Sequence, residues 1–113
     1  MIRLTGLAVL SLAASLALPA RAAGDYPTAA VADYVFGCMA ANGQTQLALQ
    51  RCSCSIDVVT SILPYADYER AETFRRMAQM LGERSAMFRE SAPARDANAA
   101  LRRAQAEADV RCF

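Results

Sequence analysis

The sequence contains no histidine, no lysine and no tryptophan. Without histidine it lacks the commonest general base, the commonest zinc ligand and any Cys-x-x-Cys-His haem attachment. All 12 basic side chains are arginine and face 11 acidic ones, for a net charge of +1. That balance has none of the basic excess that nucleic acid or an anionic membrane surface requires. There is no glycine-rich phosphate loop, no EF-hand spacing and no Ser/His/Asp set. The chain is therefore expected to be no enzyme, to carry no cofactor and to hold no metal.

What is present begins with an address. Arg3 lies beside the amino terminus, an apolar stretch runs from Leu7 to Leu18, and Ala20-Arg21-Ala22 follows. A basic start, a short apolar segment and a small-x-small triplet make a signal peptide, expected over residues 1–22 with cleavage before Ala23. Cutting one residue later would set Arg21 where a small side chain is needed. The apolar stretch is shorter than the ~20 residues of a membrane span, and Ala23 offers no cysteine for lipidation, so no stable membrane anchor is expected. Arg3 and Arg21 leave with the signal, so ten arginines face 11 acidic groups and the net charge becomes −1. The expected location is the periplasm, with residues 23–113 forming a single domain too small for a generous core.

Helical punctuation fills that domain. Thr28 after Pro27 is expected to cap a first helix with Val31, Val35 and Cys38 on its apolar stripe, Tyr34 and Met39 alongside, and Asn42-Gly43 as a left-handed stop. A second helix is expected from about Thr45 to Leu63, where Pro64 ends it. Asp67 should cap a third, carrying Tyr68, Ala71, Phe74, Met77, Ala78 and Leu81 toward Gly82. Residues 83–92 read as irregular or a single turn around Met87 and Phe88. Pro93 suits the start of a fourth helix reaching about Arg111, with Ala97, Leu101, Ala104, Ala108 and Cys112 on one stripe. The expected fold is all-α, a small bundle of about four helices.

Four cysteines remain, Cys38, Cys52, Cys54 and Cys112. At about 100° per residue, with Cys52 at zero, the apolar side chains of Ile56, Val58, Val59, Ile62 and Leu63 fill a wide arc, and Cys54 falls at about 200°, on its far edge. Ser53, Asp57, Thr60 and Ser61 occupy the opposite side. Two thiols pointing about 160° apart neither converge on one ion at about 2.3 Å nor bond to each other. In an exported chain the default is a disulfide framework, here one that joins Cys38 and Cys112 to the Cys-x-Cys pair, one each. Cys52 continues the stripe of Ile56, Val59 and Leu63, and Cys38 that of Val31 and Val35, which favours Cys38 with Cys52 while leaving the converse pairing open.

Cys38, Cys52 and Cys54, followed by "SIDVVTSILPYADY" with Pro64, Tyr65 and Tyr68, and then by Cys112, resemble a motif of small exported proteins of Gram-negative bacteria. In these a lone cysteine precedes a Cys-x-Cys, an apolar helix, an "LPY-x-x-Y"-like turn and often a late cysteine. The resemblance implies the helical fold and, for partners, an association with periplasmic quinoprotein alcohol-oxidation systems. Small helical stress chaperones of the periplasm are similar in size and class, without a shared motif.

Two function classes follow. One is a non-catalytic accessory or binding module that docks on another periplasmic protein, serving a quinoprotein or cytochrome oxidation system. Its aromatic anchors are expected among Tyr26, Tyr65, Tyr68 and Phe113, since aromatic side chains concentrate binding energy, unless they pack into the core. The other is a copper or zinc carrier using Cys38, Cys52 and Cys54. Met39, Met77, Met80 and Met87 are soft enough for copper, but at helical spacing they read as gap-filling core. The mixed charges from Glu69 to Arg76, and Asp57, read as solvated helix surface.

Overall fold

A computed structural model describes residues 25–80 and 82–113; the expected signal peptide and Leu81 lie outside the described residues. Among the described residues five helices follow one another: α1 (Thr28–Asn42), α2 (Gln46–Ile62), α3 (Tyr65–Ala78), α4 (Ser85–Glu90) and α5 (Ala92–Cys112). The stretch around Met87 and Phe88 is thus a six-residue helix of its own. Among the described residues there is no strand.

Prolines open two of the helices earlier than side-chain caps would. Pro27 and Pro64 occupy the positions just before α1 and α3, and no side chain caps either helix. The Pro27 carbonyl accepts from the amides of Ala30 (2.9 Å) and Val31 (3.2 Å), and that of Pro64 from Asp67 (3.0 Å) and Tyr68 (3.1 Å). Thr28 is therefore the first residue of α1 rather than its cap. Asp67 falls inside the first turn of α3, where its charge suits the positive end of the helix. Thr45 and Ser91 do cap, their hydroxyls accepting from Ala48 (3.1 Å) and Ala94 (3.4 Å). Gly43 ends α1 at φ +104°, a backbone angle that favours glycine, and its amide donates to the Met39 carbonyl at 2.8 Å. The α3 helix stops at Ala78 rather than near Gly82, as Gln79 and Met80 tighten into bonds to Arg76 and Met77.

The core gathers on α2, which has α1 on one side and α5 on the other. Ile56, Val59 and Leu63 meet Tyr68 and Ala71 of α3 and Leu101, Ala104 and Ala108 of α5, with Tyr26 closing the end. Ile62, counted in the apolar arc of α2, stays 46% exposed as the last residue of the helix, and Leu63 takes the core position instead. The alanines of α5 let its backbone approach closely but bury little apolar area each. The α1 helix buries no residue fully; Val31, Tyr34 and Val35 rest half-buried on the core.

Candidate functional site

The central feature is the doubly anchored α2. Cys52 bonds Cys38 of α1, and Cys54 bonds Cys112 of α5, spanning 14 and 58 residues of chain. The angular separation of the two cysteines on α2 sends one bond to each neighbour. Cys52 is completely buried, while Cys38, Cys54 and Cys112 are half-buried. No free cysteine remains, and oxidised sulfur offers no thiolate for nucleophilic or metal chemistry. Two such bonds belong to an oxidising, exported environment. No helix among the described residues is long and apolar enough to cross a membrane.

Beside this axis lies a cluster of tyrosines. Tyr26 packs against Tyr65 and Tyr68 with ring centroids 5.1 Å away in each case, the first edge-on. Tyr34 of α1 reaches Tyr68 at 6.4 Å, and its hydroxyl shares a 2.9 Å hydrogen bond with Ser55 of α2. Tyr26 and Tyr68 are buried and Tyr65 half-buried, so three of the four aromatic anchor candidates sit in or against the core. Burial first, then the charge of Asp67 and the neighbouring Tyr65, push the Tyr26 phenol up to about 12. Tyr68 is raised as well, by burial and then by Glu72 and Asp33. Both phenols are neutral rather than acids or bases at physiological pH, and that of Tyr26 donates a hydrogen bond.

Phe113, the fourth candidate, is 49% exposed. The guanidinium of Arg51 lies 5.9 Å from its ring centre, within cation–π range. Leu47 lines the same cleft as Arg51 and Phe113 and is 54% exposed; Val110, one turn before Phe113, is 84% exposed. Leu47, Arg51 and Phe113 thus share one exposed cleft, and Phe113 follows directly on Cys112, whose bond to Cys54 fixes the end of α5.

The methionines depart from the sequence reading: Met77, Met80 and Met87 are exposed rather than filling core gaps. With α3 ending at Ala78, Met80 leaves the helical face that would have turned it inward. The charged stretch behaves as helix surface, with Arg70–Asp67 and Arg75–Glu72 pairs at 3.4 and 2.7 Å, and Arg76 reaches Asp33 of α1 at 3.6 Å. Asp57 is exposed. The sequence reading missed Ser55, a buried polar group in the apolar arc of α2; its angle, about 300° from Cys52, places it inside that arc. It also missed the convergence of arginines from α3, α4 and α5 on one cavity, which no local spacing announces. No protein-family model, curated protein or solved structure matches the chain.

Proposed function

We propose that the chain is a non-catalytic accessory or binding module of the periplasm, exported through a signal over residues 1–22, which docks on a protein of a quinoprotein or cytochrome oxidation system. The observation that carries this reading is the exposed cleft of Leu47, Arg51 and Phe113, next in the chain to the Cys54–Cys112 bond. A docking surface gains affinity when it is ordered before the partner arrives, and the disulfide supplies that order where α5 ends. Phe113 with the Arg51 guanidinium near its ring pairs two residue types that are enriched at protein interfaces. Both disulfides consume the thiolates that a copper or zinc carrier would need, which weighs against that alternative.

The test is photo-crosslinking in living cells from a reactive residue placed at Val110 or Phe113, with Arg95 as an exposed control. One recurrent adduct from the two patch positions, absent from the control, supports the reading, and its mass spectrum names the partner. Equal labelling from all three positions, or none from the patch, overturns it.

A further inference from the structure

A second feature lies away from that patch, in a solvent-open groove of about 500 Å³ where α3, α4 and α5 meet. Three arginines line it, Arg75 of α3, Arg89 of α4 and Arg102 of α5, and no carboxylate does. In a chain whose charges nearly cancel overall, this is a local concentration of one sign. Among the described residues only one of the three has an ion-pair partner: Arg75 pairs with Glu72 at 2.7 Å, and Glu72 stands outside the lining. Arg89 is held in place by the Ala78 carbonyl at 3.2 Å and the Ser85 hydroxyl at 3.5 Å, and a guanidinium has five N–H donors, so several remain. Arg102 has no ion-pair partner among the described residues.

The remaining walls fit the same reading. The side-chain amides of Gln79 and Gln105 add further donors, and Leu101 and Ala78 add apolar surface. Asn98 also lines the cavity; its Oδ1 is buried without a hydrogen-bond partner and, as an acceptor, offers an anion nothing, so the donors of the site are the guanidinium and amide N–H groups.

We infer that this cavity is a binding site for a small organic polyanion, one carrying two or more carboxylate or phosphate groups on a carbon frame. A volume of this size lies in the ~300–1,000 Å³ range of small-molecule sites and is far larger than one oxyanion needs. Guanidinium groups match carboxylate and phosphate geometry by bidentate hydrogen bonding. Arginines from three different helices select a ligand with several anionic groups over one with a single charge.

Isothermal titration of the oxidised protein with citrate and with fructose 1,6-bisphosphate tests this, with acetate and inorganic phosphate as small-anion controls. The expected result is one-to-one binding of at least one polyanion, about tenfold or more tighter than either control. Which polyanion binds better distinguishes a carboxylate from a phosphate ligand. Arg102→Gln removes a side chain with no ion pair to lose, and Asn98→Asp places a negative charge on the wall at nearly constant volume. Each should weaken binding about tenfold, whereas Arg95→Gln, on the same helix but outside the cavity, should leave it unchanged. Circular dichroism confirms that each variant is folded. No polyanion binding, no preference over the small anions, or equal loss in Arg95→Gln and Arg102→Gln overturns the site.

Discussion

The phenolic hydroxyl of Tyr26 donates a 2.7 Å hydrogen bond to the carbonyl of Leu63, 37 residues further along the chain. Leu63 follows the last residue of α2, at a helix end where carbonyls lack partners within the helix. One side chain ahead of α1 thereby satisfies the end of the central helix and covers the core with its ring. Tyr26→Phe keeps the ring and removes the donor, so the variant should lose about 1–2 kcal/mol of stability. Urea denaturation measures the loss; an unchanged midpoint means that the bond contributes nothing.

Alkali acts on the same cluster. Tyr26 ionises at about 12 in the folded protein against an ordinary 10.0, and Tyr68 is raised in the same direction. In the unfolded chain both would ionise earlier, so the folded state holds more protons once the pH passes about 10. Their contribution is complete below that point and is lost as the pH rises toward about 12. Denaturation midpoints should hold steady up to about pH 9 and fall by about pH 11. Tyr26→Phe should show a shallower fall, and equal slopes in variant and wild type would contradict the assignment.

The two disulfides should differ in worth. A bond closing 58 residues restricts the unfolded chain more than one closing 14, by loop-closure entropy about 4 against about 3 kcal/mol. Cys54→Ser/Cys112→Ser should therefore shift a guanidinium denaturation curve more than Cys38→Ser/Cys52→Ser. The Cys38→Ser/Cys52→Ser variant has a local signature, because α1 buries no residue fully. Its amides should exchange hydrogen faster while those of α2 and α5 stay protected. Uniform acceleration across all helices would show that α1 is integral to the core.

Ala104 is completely buried on the side of α5 that joins Ile56, Val59 and Ala71 in the core. Leucine there adds volume with no room to receive it, and Ala104→Leu should cost about 1–3 kcal/mol. Val110→Leu, 84% exposed on the same helix, should be neutral. Thermal melts of the two decide whether the alanine seam is tightly closed.

The legibility of this fold depended on the range of the interactions involved. The second helix could be read closely because its apolar arc, its start near Thr45 and the break at Pro64 are all local. The angle between Cys52 and Cys54 carried further still, because opposite directions on one helix imply different neighbours. Helix starts at Pro27 and Pro64 were misread because Thr28 and Asp67 are good capping residues that lie one and three positions too late. Met80 was misread because periodicity continues past Ala78 in the sequence while the helix does not, and Met77 and Met87 because helical spacing alone does not say whether a face meets a neighbour. Tyr26, Tyr65 and Tyr68 had equal claims to interface and core, a choice that only packing between distant segments makes. The arginine cavity was not legible at all, since Arg75, Arg89 and Arg102 look like separate surface charges until three helices meet.

The order of the bonds along the chain, first cysteine to second and third to fourth, bears on how the molecule is made. A chain threaded into an oxidising compartment from its amino end presents Cys38 and Cys52 to each other before Cys112 has arrived. Oxidation in order of emergence then gives the native pair directly, with Cys54, two residues behind, as the sole competitor for Cys38. Because Cys54 points away from Cys52 on the helix, early coiling of residues 46–62 handicaps that competitor. Correct pairing can thus be set by timing and helix geometry, with little need for an isomerase to reshuffle mistakes.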